Sequence, residues 1–140
     1  GNPQFQAPIQ QAKLAMVAEG TRNAFALAQK YDLKILWGTD VFGNDAIFEN
    51  FTQEFAFRDE FWSPIEQMRQ VTGNNGEMLA LSGLKNPYPD GALGVVKPGA
   101  YADIILVKGD PSKDIKILMD AKNNIDFIMK NGVIYKNTIE

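Results

Sequence analysis

The sequence predicts an α/β fold, and three stretches carry that expectation. A long helical periodicity runs directly into a short apolar strand. A proline-started helix with its own cap follows. The remainder is strand-like and closes on an Asn-Gly turn.

Gly1 to Pro8 are polar and proline-bearing, and read as a mobile lead-in. From Ile9 to Tyr31, the residues Leu14, Val17, Ala18, Thr21, Ala24, Phe25 and Ala28 recur at steps of three and four, the spacing of one helix face. That face is rich in alanine and suits close approach to another element. Gly20 sits mid-helix, at a cost of up to about 1 kcal/mol relative to alanine, and reads as a close-packing point or a kink. Tyr31-Asp32 ends the helix. Lys34-Ile35-Leu36-Trp37 then reads as a short buried strand, broken by Gly38 and followed by Thr39 and Asp40. A helix passing so directly into a strand is an αβ connection of the parallel kind.

Val41-Phe42-Gly43-Asn44-Asp45 is a loop by its glycine and Asx content. Phe48, Phe51 and Phe55 share a helical stripe that reads as core packing, with a lid beside Asp40 as the functional alternative. Ser63-Pro64-Ile65-Glu66 has the form of a capping box: serine at the cap, proline first in the helix, glutamate reaching back. The helix runs to about Val71. Thr72-Gly73-Asn74-Asn75-Gly76 breaks it, Asn74 or Asn75 capping a second short helix through Leu81, with Gly83 as its left-handed terminator.

At Asn86 to Pro89 the character changes, which divides the chain into residues 1–86, an αβ segment, and residues 87–140, a β-rich segment. Ala92 to Val96 and Ala102 to Val107 read as strands. Asn124 to Lys130 and Val133 to Lys136 flank Asn131-Gly132, the strongest short hairpin signal, because a type I′ turn needs positive φ at both central residues.

Composition limits the chemistry. The chain has 140 residues, 45% apolar and 22% charged, with a net charge of -3. Nothing in that balance marks a nucleic-acid partner, and no apolar run approaches the roughly 20 residues of a membrane helix. There is no histidine and no cysteine. A Ser-His-Asp or Cys-His nucleophile is therefore excluded within the chain, and acid–base work falls to Asp, Glu, Lys or Tyr. Asp40 is the leading candidate, since groups at the carboxyl ends of strands in α/β folds project toward ligands. Its structural alternative is an Asx-turn or a cap. Asp45, Glu49 and Glu54 form a second candidate, a carboxylate group for a hard cation such as Mg²⁺ or Ca²⁺, although the spacing does not match an EF-hand loop.

Taken in order, the motifs resemble the C-terminal portion of the amidohydrolase superfamily, nearest to the imidazolonepropionase-like and Xaa-Pro-dipeptidase-like metal-dependent hydrolases. Ile35 to Asp40 resembles the last barrel strand with its Gly-Thr-Asp. Ser63 to Gln67 and Val71 to Asn74 resemble the helices that follow it. Asp90 to Val107 resembles the segment returning to a small β-sandwich, and Ile128 to Tyr135 its closing hairpin. The resemblance implies a fragment of a (β/α)₈ barrel, the last helix-strand-helix unit, plus sandwich strands. It implies a divalent metal, often zinc, in the complete protein, with Asp40 as metal ligand or proton shuttle. The implied substrate is a small-molecule or peptide-like amide or other C–N bond. A barrel needs about 250 residues, and the family's His-x-His and middle-strand ligands have no counterpart here. The chain is thus expected to bind no metal and be inactive alone. The alternative is a non-enzymatic α+β interaction module. A strand without its barrel neighbours is further expected to leave open edges that favour a homo-oligomer.

Overall fold

The computed structural model describes residues 7–40 and 51–139. Gly1 to Gln6, the loop from Val41 to Asp45, Phe48 and Glu49 lie outside the described residues. The chain forms two compact units, residues 1–34 and 35–140.

The first unit is helix α1, Pro8–Lys30, with proline in its first turn. Its C-terminus closes by a specific device. Asp32 N–H donates to Gln29 O (3.2 Å) and Leu33 N–H to Ala28 O (2.9 Å), with Asp32 at φ +49°. This is the Schellman arrangement, with aspartate standing in the left-handed position that glycine usually holds. The apolar arc of the helix remains bare over much of its length: Ile9, Met16, Val17 and Leu27 are all exposed. Among the described residues nothing lies within 4 Å of a Cβ built on Gly20, so no close packing there explains that glycine.

The second unit begins with an extended segment, Ile35 to Asp40, that joins no sheet among the described residues. Helix α2, Gln53–Arg58, and helix α3, Pro64–Arg69, come next. In the capping box of α3 the Glu66 carboxylate accepts from the Ser63 N–H (2.9 Å) and from the Ser63 hydroxyl. The break expected at 72–76 is instead a π-helical turn, Gln70–Asn74, that leads without interruption into helix α4, Asn75–Ala80. Neither Asn74 nor Asn75 caps a helix end with its side chain.

A three-stranded antiparallel sheet forms the end of the chain, in the order β1 (Ile104–Val107), β2 (Ile125–Lys130), β3 (Val133–Asn137). Between β1 and β2 lie a 3₁₀ turn, Ile115–Met119, and the one-turn helix α5, Ala121–Asn124. The hairpin turn has Asn131 at φ +48° and Gly132 at φ +77°, as a type I′ turn requires. Asp103 holds this turn from β1's side, accepting from Asn131 N–H at 2.6 Å and facing Lys130 Nζ at 3.3 Å. The run Ala92 to Val96 is not a strand. It makes a single parallel bridge, Ala92 to Ala100, because Gly94 at φ +70° turns the chain out of the extended region.

Buried apolar residues in this unit are Phe55, Trp62, Ile115 and Ile125. The 3₁₀ turn that buries Ile115 packs on α2 and α3. Thr52 Oγ1 donates to Met119 O (3.4 Å), and Lys116 Nζ pairs with Asp59 (2.8 Å). A second junction joins the π turn to the loop after Asn86. A Cβ on Gly76 would stand 2.4 Å from Leu93 O, and one on Gly94 2.3 Å from Thr72 O. Two backbones meet there with no room for a side chain.

Gly76→Ala is therefore expected to destabilise the second unit by about 2 kcal/mol or more, since the atoms it strikes first are backbone. Gly20→Ala, which meets nothing, is expected to stabilise α1 by up to about 1 kcal/mol. Urea denaturation monitored by circular dichroism reads both. Acid provides another test. The Asn131 amide, more than Lys130, holds the Asp103 carboxyl below its usual range against the opposing effect of burial. The Ser63 hydroxyl and amide do the same for Glu66. A depressed carboxyl contributes stability above its unfolded pKa, and that stability is lost as pH falls through the folded value. Protection of the Asn131 amide should therefore hold above about pH 4 and fade below it. Asp103→Ala should abolish that pH dependence in hydrogen exchange.

Candidate active site

The extended segment before Asp40 is held by side chains where a strand would be held by neighbours. Asn75 Oδ1 accepts from Trp37 N–H at 3.0 Å, and Asn75 Nδ2 donates to Trp37 O at 2.9 Å. Asn74 Nδ2 donates to Ile35 O at 2.8 Å. On the opposite edge Arg58 Nη1 donates to Leu36 O at 2.9 Å. The alternation is that of a β-strand, whose successive peptide groups point to opposite edges. The edge positions expected to be open for self-association therefore already carry partners at Ile35, Leu36 and Trp37.

Arg58 is the centre of this arrangement and is only 4% exposed. Its Nη1 also donates to Gln70 Oε1 at 2.8 Å, and its Nε to Glu54 Oε1 at 2.6 Å. The guanidinium lies 5.8 Å from the centre of the Trp62 ring. A buried cation needs a counter-charge and filled hydrogen bonds to be tolerated. Glu54, one turn earlier on α2, supplies the charge. This removes Glu54 from the expected cation group: it is the counter-ion of Arg58. The other two members of that group, Asp45 and Glu49, lie outside the described residues. Phe55 is buried and stacks on Trp37 at 5.0 Å between ring centres, the packing role its stripe predicts, whereas Phe51 is exposed.

Asp40 stands at the end of the held segment, exposed, at φ +51°. The left-handed residue is thus Asp40 itself, while Gly38, the expected turning point, does not take a positive φ. Aspartate tolerates that region better than most side chains, at a cost of about 1 kcal/mol. The donor set around it does not fit a metal ion by itself. No group of three acidic, histidine or cysteine side chains comes together among the described residues. Catalytic zinc sites use three protein ligands, so Asp40 supplies one at most. Two cavities, of about 320 and 210 Å³, lie among residues 73–132, and neither is lined by Asp40.

Arg58, Gln70 and Asn75 carry no local motif, while Asn74 closes the Val71 to Asn74 run that carries part of the resemblance. A second signal is two asparagines inside a helical run, where their propensity is poor and a tertiary partner has to compensate.

No family model matches the chain, and no curated protein matches it. Solved structures do match, among them an amidohydrolase, a prolidase and an ochratoxinase. One is an amidohydrolase, 28% identical, with a TM-score of 0.78 over 96% of this chain and 30% of its own. Another is a prolidase solved with N-methylphosphonate-L-proline, 25% identical, with a TM-score of 0.76 over 94% of this chain and 30% of its own. Ochratoxinase of A. niger shares the fold at 24% identity, with a TM-score of 0.75 over 96% of this chain and 29% of its own. The chain thus spans about 30% of the length of the first two. The likeness to amidohydrolase-superfamily proteins that the motifs imply is shown by these structures.

The Arg58 network can be tested directly. Arg58→Lys keeps the charge but not the fork, and is expected to cost about 1–3 kcal/mol. Arg58→Ala leaves the buried Gln70 without its donor and Glu54 without its counter-ion, and should cost about 3–5 kcal/mol. The only two tryptophans, Trp37 and Trp62, flank the network, so their fluorescence during urea unfolding measures both losses.

Proposed function

We propose that this chain is the portion of a metal-dependent amidohydrolase that carries the last barrel strand, its flanking helices and part of the small sandwich. The complete protein cleaves an amide or another C–N bond of a small-molecule or peptide-like substrate. Asp40 is its catalytic carboxylate. The observation that carries this reading is the placement of Asp40: an exposed carboxylate in a left-handed conformation, at the end of an extended segment held on both edges. The chain bearing it superposes over nearly its whole length on an amidohydrolase more than three times as long. One further feature supports it: Ile9, Met16, Val17 and Leu27 along α1 are exposed.

The chemistry that a divalent ion supplies in such a centre is activation of water at neutral pH. The part this chain can play is narrower. Asp40 offers a carboxylate that ligates or accepts a proton, and the remaining ligands come from outside residues 1–140. The purified chain is therefore expected to show no metal-dependent hydrolysis. The longer reading frame is expected to encode His-x-His roughly 250 residues before Asp40. Asp40→Asn in that complete enzyme should lower kcat by at least about 100-fold. Turnover by the isolated chain, or full activity of the Asp40→Asn enzyme, overturns the reading.

The exposed arc of α1 also fits a second reading, a non-enzymatic interaction module. A natural start codon near Gly1 and no upstream His-x-His would favour it.

A further inference from the structure

We infer that Asn131-Gly132 is a site of spontaneous deamidation in the folded chain, and that the reaction loosens the turn closing the β2–β3 hairpin. The chain holds two Asn-Gly pairs, Asn75-Gly76 and Asn131-Gly132. In such a pair the glycine nitrogen can attack the asparagine Cγ, because the glycine has no Cβ to stand in the way. A new C–N bond closes a cyclic imide, and the carboxamide nitrogen leaves as ammonia. Water then opens the ring at one of its two carbonyls, leaving aspartate or isoaspartate. The attack requires the backbone at the asparagine to rotate until the glycine nitrogen faces the carboxamide carbon. The surrounding fold therefore decides which pair reacts.

The two pairs are held in opposite ways. Asn75 opens α4 within a continuous helical run. Both ends of its carboxamide are bound: Oδ1 accepts from Trp37 N–H at 3.0 Å, and Nδ2 donates to Trp37 O at 2.9 Å. Its glycine lies against Leu93 without space for a Cβ. Rotating that peptide means breaking the helix, both bonds and the junction together. Asn131 is exposed at the tip of a two-residue turn, and among the described residues nothing lies within 4 Å of a Cβ built on Gly132. Two backbone amides tie this turn to the chain before β1. Asn131 N–H donates to Asp103 Oδ1 at 2.6 Å, and Gly132 N–H to Ala102 O at 3.1 Å. Neither bond uses the Asn131 carboxamide. Only the hairpin tip has to fray for the reaction, and loop tips stand at the low end of local stability. The same bonds define what the reaction removes. The imide nitrogen carries no hydrogen, so the Gly132 bond to Ala102 is lost when the ring closes. Aspartate at position 131 brings a second carboxylate to the turn that Asp103 holds. Isoaspartate adds a backbone carbon that a type I′ turn does not accommodate.

Ageing the 140-residue chain in warm, mildly alkaline buffer tests this without metal, substrate or any variant. Peptide mapping by mass spectrometry follows the amide-to-acid conversion at both pairs. In the folded chain Asn131 is expected to convert about tenfold faster than Asn75, or more. In urea, where neither pair is held, the two rates should agree within about threefold. Comparable rates in the folded chain, a faster Asn75, or a gap of about tenfold that persists in urea overturns the inference. So does an Asn131 still intact in the folded chain after about thirty half-lives of the reaction in urea. The converted chain separates from the parent by its added negative charge. Its backbone amides at 130–133 should exchange hydrogen faster than those of the unaged chain. Unchanged exchange there overturns the claim that the reaction loosens the turn.

Discussion

A backbone segment packed between helices has to place its amides and carbonyls, since each polar group left buried and unpaired costs free energy comparable to a lost hydrogen bond. Ile35 to Trp37 meets that constraint without a sheet. Arg58 takes the Leu36 carbonyl, and the two asparagines take the Ile35 and Trp37 groups. Much of the second unit can be traced to this requirement. Arg58 is tolerated in the interior because Glu54 balances its charge and Gln70 accepts from it. Trp62 and Phe55 close around the same region, one over the guanidinium and the other against Trp37.

The π turn is the second consequence. An uninterrupted α-helix from Pro64 to Ala80 would point residues 74 and 75 in other directions, and the extended segment would lose its partners on that edge. π turns of this kind recur at functional sites for the same geometric reason. The glycines around it have a different task. Gly76 and Gly94 let two backbones touch where the helical part meets the loop before β1, and the Lys116–Asp59 pair adds a second tie between the same halves. The separation of compact units falls after Lys34, and residues 35–140 form one of them.

Features governed by neighbours in the chain were legible beforehand. The α1 terminus at Tyr31-Asp32, the Ser63–Glu66 box and the Asn131-Gly132 turn each rest on backbone preferences and hydrogen bonds between residues five or fewer positions apart. Lys34 to Trp37 read as a buried strand; the segment joins no sheet among the described residues, Ile35 to Trp37 are half-buried, and Lys34 is exposed. Glu54 read as a member of a cation-binding group because its partner, Arg58, has no apparent reason to be buried until Leu36 and Gln70 are beside it. Ala92 to Val96 read as a strand because the approach of Thr72 to Gly94 leaves no trace in the local pattern.

By itself, the sequence determined most of the helices and strands, the left-handed turn in the hairpin, the exclusion of histidine and cysteine chemistry, and Asp40 as the carboxylate to watch. These depend on residue identity and short-range geometry. Only the tertiary structure decided that Asn74, Asn75 and Arg58 hold the segment before Asp40, and that Asp40 rather than Gly38 takes the left-handed conformation. Those contacts join residues 22 to 39 positions apart. At that separation, partners are selected by burial and by the need to satisfy every peptide group, and no local pattern records the choice.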